Sequence, residues 1–172
     1  MSADREYIIG FSNLSSGEHE FEFQVGDSFF NRFENSVIQK GNADILVVVE
    51  RKENMLLIDF TTQGTVMVQC DRCLEELSLD IEGYNELIVK IGDSHEELSD
   101  NVIMISAKEH ELDVAQFIYE FISLMIPMRN VHGEGDDTEG CDPEVLREIE
   151  KHISHEHPSD PRWDALKNIN LN

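Results

Sequence analysis

The chain has 172 residues, and its 36 Asp and Glu outnumber its 13 Lys and Arg to give a formal net charge of −23. Apolar residues make up 40% of the sequence, enough for a buried core, and no apolar run is long enough to cross a bilayer. Composition therefore predicts a soluble, cytoplasmic protein without membrane contact, whose average surface repels a polyanion. Direct contact with nucleic acid would need a local basic patch or a second protein.

Alternating apolar and polar residues dominate the first half of the chain. The segment "EHEFEFQV" predicts a half-buried strand, whereas "DSFFNRF" breaks the alternation and predicts a short helix. The runs "ADILVVVERK", "NMLLIDFTT" and "TVMVQC" are separated by "EN" and "QG", which favour tight hairpin turns. The segment "LSLDIEGYNELIVKIG" then alternates over a longer span. The connections are too short for parallel crossovers, so these segments predict an antiparallel meander.

The composition changes after Gly92, where "DSHEELSD" predicts an acidic loop before the short apolar run "VIMI". The clearest helix is "ELDVAQFIYEFISLMIP", with Asp113 as its N-cap, Gln116 in a capping box and Pro127 at its end. Two further helices are predicted at "DPEVLREIEKH" and "DPRWDALKNINLN", each begun by Asp-Pro.

These elements predict an α+β fold, in which an antiparallel curved sheet or partial β-barrel is followed by helices packed on one face. Residues 1–128 would form the sheet with the apolar helix. Residues 129–172 would add an acidic loop and the C-terminal helices to the same domain.

The cysteines are the strongest candidates for a functional site. Cys70 and Cys73 lie in "VQCDRCLEE", at the end of a predicted strand, while Cys141 follows His132 by nine residues in a glycine-rich, acidic stretch. Together the four residues make a Cys₃His set, a recognised tetrahedral zinc arrangement that is closed and therefore structural. An occupied site would tie the acidic loop to the sheet.

Two other interpretations of the close cysteine pair stay open. Cys70 and Cys73 can be small, partly buried thiols without a ligand. They can also be a redox pair, although redox Cys-x-x-Cys motifs usually open a helix in a strand–helix–strand unit, which is lacking here.

Few basic residues are available to form a contact patch. Arg72 lies between the cysteines, and the other candidates for contact with RNA or a partner are Arg129, Arg162 and Lys167. The sequence has no glycine-rich phosphate loop and no serine in a nucleophile elbow, and its acidic pairs single out no general acid. We therefore predict a protein that is not an enzyme and has no small-molecule substrate.

Three motifs in order resemble the YceD-like family of bacterial large ribosomal RNA subunit accumulation proteins. They are "VQCDRCLEEL", "YEFISLMIPMRNVHGEGDDTEGC" and "DPRWDALKNI", and their order and separation are similar to the family over roughly residues 40–172. Some branches of the family carry a second Cys-x-x-Cys where this chain has only His132 and Cys141.

The resemblance implies a non-enzymatic role in large-subunit biogenesis, in which 23S ribosomal RNA or its precursor is contacted directly or through a ribosomal or assembly protein. The alternative function is an acidic interaction module that binds a basic ribosomal partner without metal. Its binding surface would be the sheet face or the apolar helix.

Overall fold

The computed structural model describes residues 6–133 and 140–153. The predicted terminal helix at "DPRWDALKNINLN" lies outside these residues. A 3₁₀ turn spans Phe11–Asn13, and the helices are α1 (Asp27–Phe30), α2 (Ala115–Met125) and α3 (Pro143–Ile153). The strands are β1 (Ile8–Ile9), β2 (Gly17–Val25), β3 (Lys40–Arg51), β4 (Met55–Gln69), β5 (Glu76–Gly92), β6 (Glu96–Ser99), β7 (Val102–Ser106) and β8 (Leu112–Asp113).

The main sheet has six strands in the order β2-β3-β4-β5-β7-β6, and β1 pairs with β8 separately. Strands β2 to β5 form the predicted antiparallel meander. The α+β class is confirmed, and the sheet is curved in places but does not close into a barrel.

Two features of the sheet correct the sequence prediction. The acidic segment predicted as a loop contains β6, whose four side chains are all exposed, so no alternation marks it as a strand. Its backbone pairs with β7, and β7 in turn lies parallel to β5. After β5 the chain forms the edge strand β6, and β7 then lies between β5 and β6. The β5–β7 pair is therefore the one parallel pair in an otherwise antiparallel sheet.

The predicted turn at "QG" is wrong, because β4 runs through it. Gly64 lies opposite Ala43 on β3 and Ile81 on β5. A Cβ atom on Gly64 would lie 2.3 Å from the Asn42 carbonyl oxygen and 2.5 Å from the Ala43 Cα. The glycine thus permits close approach of β3 to β4 rather than a reversal. The turn at "EN" is confirmed, with the Lys52 N–H donating to the Met55 carbonyl at 2.9 Å.

One face of the sheet, the inner face, carries the core. Phe60 on β4 meets Phe121 on α2 edge-to-face, with ring centroids 5.1 Å apart, and Ile118 and Ile122 on α2 are also buried. The helical stripe is therefore core packing, as its spacing predicts. Among the described residues, no helix has the length and apolar character needed to span a membrane.

The ends of α2 agree with the sequence in part. The N-cap is Val114 and not the predicted Asp113, although the Asp113 carboxylate accepts the Ala115 N–H at 2.9 Å. Gln116 donates to Glu120 at 2.7 Å and does not close a capping box. The backbone becomes extended at Ile126, as expected before a proline.

Gly64→Ala tests the close approach of the two central strands. We expect the new methyl group to lower the free energy of unfolding by about 2–3 kcal/mol, because the atoms that it meets belong to a neighbouring backbone. Urea unfolding measures the change. Gly26→Ala is the matched control, since its Cβ meets no atom within 4 Å and its backbone is extended. Equal stability of the two variants would contradict this account of Gly64.

Candidate metal centre

A tight loop between β4 and β5 presents the cysteine pair. Cys70 follows the last residue of β4, its N–H donates to the Glu75 carbonyl, and its own carbonyl accepts the Leu74 N–H, both at 2.9 Å. Leu74 adopts a left-handed conformation with φ of 64°, which lets the chain turn back within a few residues. The loop thereby places Cys70 and Cys73 in the buried part of the structure.

A second segment, which leaves α2, is fixed beside this loop by reciprocal hydrogen bonds. The Asp71 N–H donates to the Asn130 carbonyl at 2.7 Å, and the Asn130 N–H donates to the Asp71 carboxylate at 2.6 Å. The Asn130 side-chain amide also donates to the Pro127 carbonyl at 3.1 Å. His132 follows two residues later and therefore enters the space beside the cysteine loop.

The fourth candidate ligand precedes α3. Cys141 is followed by Asp142, whose carboxylate accepts the Glu144 N–H at 2.7 Å, and Pro143 is the first helical residue. This is the capped start that the sequence predicts. The capping bond of Asp142 fixes where α3 begins. Cys141, the residue before Asp142, therefore has a defined position at the cluster.

The four predicted ligands converge, and their ligand atoms all lie within 4.8 Å of one another. The sulfurs of Cys70 and Cys141 are 3.7 Å apart, and the His132 Nδ1 lies 3.3 Å from the Cys73 sulfur and 4.0 Å from the Cys141 sulfur. Tetrahedral zinc with bonds of about 2.0–2.3 Å separates its ligand atoms by roughly 3.4–3.8 Å. The three distances given, 3.3–4.0 Å, are close to this range, and the thiol and imidazole donors could hold a metal ion.

The ring of His132 is oriented for ligation. Its Nε2 lies 3.1 Å from the Glu76 carbonyl oxygen, to which an Nε2–H donates. In the neutral imidazole that bond leaves a lone pair on Nδ1, which is the nitrogen that faces the thiols.

The pKa values of the side chains in the cluster are shifted in different directions. Burial by itself raises the pKa of the Cys70 thiol, but hydrogen bonds from the backbone of Cys73, His132 and Arg72 lower it to about 6. Burial, reinforced by hydrogen bonds with Cys70 and Cys73, raises the pKa of Cys141 to about 11. Burial lowers the pKa of His132, yet hydrogen bonds with Cys70 and Cys73 outweigh this and leave the pKa raised. The cluster thus favours a thiolate at Cys70, the form that binds metal.

The geometry also bears on the two other interpretations of the cysteines. All three thiols are free and buried, and Cys70 is 0% exposed. A redox thiol has to meet its partner at the surface, so this burial argues against a redox pair. Small buried thiols would account for the burial, but not for the convergence of a third thiol and an oriented imidazole.

The structure brings two of the predicted contact residues onto adjoining segments. Arg72 and Arg129 are both exposed, and each is next in sequence to one member of the Asp71–Asn130 pair. Arg162 and Lys167 lie outside the described residues.

Sequence reasoning missed the supporting groups of the site. Asp71 is visible inside "CDRC", but nothing in the sequence connects it to Asn130, 59 residues later. The Glu76 carbonyl that orients His132 is a backbone atom, which no residue pattern reveals.

A comparison with protein-family models finds one described as "Large ribosomal RNA subunit accumulation protein YceD", which matches residues 58–170. No curated protein and no solved structure shows a significant match. The matched range covers more than half of the chain and includes the cysteine loop, His132, Cys141 and α3. The resemblance carried by the three sequence motifs is confirmed, and the chain belongs to the YceD family of large ribosomal RNA subunit accumulation proteins.

Proposed function

We propose that this protein is a non-enzymatic factor in large ribosomal subunit biogenesis, which supports the accumulation or processing of 23S ribosomal RNA. The family match over residues 58–170 carries the proposal. We place its action in the cytosol, where the three thiols would stay reduced and able to bind metal.

The proposal includes a structural zinc ion held by Cys70, Cys73, His132 and Cys141. Four protein ligands leave no open position for water or substrate, which supports a structural role. The ion would join the β4–β5 loop, the segment after α2 and the start of α3. Because a folded site binds the ion more tightly than the unfolded chain does, binding would stabilise that junction.

We propose further that residues 129–172 belong to the same domain as residues 1–128. Val131 and Cys141 are part of the hydrophobic core, and Val145 and Leu146 on α3 pack against it. This packing supports one domain, in which the metal centre fixes a junction.

For RNA contact we propose the segments that carry Arg72 and Arg129, with Arg162 and Lys167 as further candidates. The adjoining backbones of Asp71 and Asn130 support this choice, since they bring two guanidinium-bearing residues to one part of a strongly acidic molecule. Guanidinium groups recognise phosphate by paired hydrogen bonds.

The alternative is an acidic module that binds a basic ribosomal partner without metal. The net charge of −23 supports it. The metal content of the purified protein distinguishes this alternative from the proposal with zinc, because the alternative predicts that the four residues bind no metal.

Metal analysis of untagged protein tests the zinc site. We expect about one zinc per chain for the wild type and a loss of most of it for His132→Ala, which removes the imidazole ligand. Removal of zinc with a chelator should lower the Tm by at least about 5 °C, because the ligand stabilises only the folded state.

His95→Ala is the matched control, since His95 is exposed and lies outside the cluster. It should keep the zinc and the Tm of the wild type. Wild-type protein without zinc, with all three thiols open to titration under native conditions, would contradict the zinc site and favour the alternative.

Ribosome profiles of a strain that lacks the gene test the function and the arginine contact. We expect less 23S RNA and a smaller large-subunit peak, both restored by the wild-type gene. The double variant Arg72→Glu/Arg129→Glu should restore clearly less, because charge reversal repels phosphate. Sedimentation profiles and 23S RNA levels measure both effects.

The matched control for this experiment is Lys108→Glu/Arg147→Glu, which reverses two other exposed charges. It should restore as fully as the wild type. A normal 23S level in the strain without the gene would overturn the proposed function. Full restoration by the double arginine variant would overturn only the arginine contact.

A further inference from the structure

The inner and outer faces of the sheet differ in what covers them. α1 and α2 both pack on the inner face, since a Cβ on Gly41 would meet Phe30 at 2.9 Å and one on Gly83 would meet Met125 at 2.5 Å. The outer face is formed by the alternate side chains of β2 to β5, among them Glu22, Leu46, Thr61 and Tyr84. No helix within residues 6–133 and 140–153 packs on it.

Strand register arranges the outer face in rows that cross the strands. One row contains Glu22, Leu46, Thr61 and Tyr84, and its Leu46 and Tyr84 side chains are 37% and 62% exposed. A pocket of about 860 Å³ opens beside this row and is lined in part by Glu22, Leu46 and Thr61. The row thus presents one aliphatic and one aromatic side chain next to a recess; we call it the apolar row after Leu46 and Tyr84, and it also contains Glu22 and Thr61.

Carboxylates flank the apolar row on both sides, about 7 Å away because side chains on one face are two residues apart. The neighbouring row on one side contains Glu20, Asp59 and Glu86. The row on the other side contains Asp44 and Glu82. A ligand seated on the apolar row would therefore meet negative charge on both sides.

The register also places like charges directly opposite each other. Asp59 faces Glu86 across β4 and β5, and Glu18 faces Glu50 across β2 and β3. Like charges directly opposite each other destabilise a sheet, and of these four carboxylates Asp59 also accepts a hydrogen bond from the Tyr84 hydroxyl at 2.6 Å. Among the described residues, the ion pairs on this face lie towards its ends, at Lys40–Glu76 and Lys52–Glu50. A bound cationic partner would neutralise the charges that remain in the centre.

We propose that the outer face docks an extended protein segment rich in lysine and arginine, with apolar side chains between the charged ones. The apolar side chains would lie along the row from Leu46 to Tyr84, and the cationic side chains would reach the carboxylates on either side. This inference rests on the proposed function and specifies the binding surface for a basic ribosomal partner.

RNA as the ligand of this face, and α2 as the binding surface, agree less well with the structure. RNA would bring phosphates against the carboxylates and be repelled. The apolar stripe of α2 is not available for a partner, since Ile118, Phe121 and Ile122 are buried.

The test uses full-length protein and a fluorescein-labelled peptide of alternating lysine and valine, with binding followed by fluorescence anisotropy. The face variant is Glu20→Gln/Glu22→Gln/Glu82→Gln/Glu86→Gln. All four side chains are exposed, and none takes part in an ion pair or side-chain hydrogen bond that the described residues show. We expect binding to weaken about tenfold, and wild-type binding to weaken as salt is added.

The matched control is Asp93→Asn/Glu97→Gln/Asp100→Asn/Glu111→Gln, which removes the same charge from exposed positions outside the outer face. It should change affinity less than twofold, and circular dichroism should show both variants folded. Equal weakening by the two variants would overturn the proposal, because net charge alone would then explain binding. Unchanged binding by the face variant would overturn it as well.

A second peptide, of alternating lysine and serine, tests the apolar row and should bind more weakly than the lysine–valine peptide. Equal affinity would overturn the proposed seating of apolar side chains. These measurements stand apart from ribosome profiles, so loss of the proposed function and loss of the docking surface give different results.

Discussion

Two hydrogen bonds between Asp71 and Asn130 hold the chain that leaves α2 against the loop between β4 and β5. The position of His132 in the candidate metal centre follows from that placement, because His132 comes two residues after Asn130. The placement brings the His132 Nδ1 to 3.3 Å from the Cys73 sulfur. The sheet supplies one pair of ligands and the region after α2 supplies the other, so the site joins parts of the chain that the meander alone would leave apart.

The two faces of the sheet differ in residue composition. Apolar residues on the inner face pack against α1 and α2 and form the hydrophobic core. Acidic side chains gather on the outer face, where register sets Asp59 opposite Glu86. Part of the net charge of −23 is therefore concentrated on the outer face, so the net charge alone does not show where a charged partner would bind.

Much of the fold follows from the sequence, because one-sided burial produces the alternation that identifies a strand. β2 to β5, α1, α2 and the start of α3 could all be predicted in this way. β6 could not, because its four side chains are exposed and only backbone pairing defines it. The turn predicted at Gly64 was wrong for a related reason. In a sequence, a glycine that permits close approach of two strands looks the same as a glycine in a turn, and only the short distance to Asn42 in the structure distinguishes the two cases.

The site was predictable to a similar degree. Thiol and imidazole side chains are rare enough in this sequence to be grouped by chemistry, and the structure brings all four together. The groups that position them are a common carboxylate, a common amide and a backbone carbonyl, at Asp71, Asn130 and Glu76. Residue types this frequent carry no signal of their role until their partners are known.

Charge at the proposed zinc site bears on how RNA would be held. A Zn²⁺ ion bound by three thiolates and a neutral imidazole leaves one net negative charge, so the occupied centre itself would not attract phosphate. Attraction would have to come from side chains that the centre keeps in place. Arg72 is the residue after Asp71, and Arg129 precedes Asn130, so the two hydrogen bonds that hold His132 near the cysteine loop also hold the backbone next to both arginines. On this argument the metal would act on RNA contact through the position of the arginines and not through its own charge.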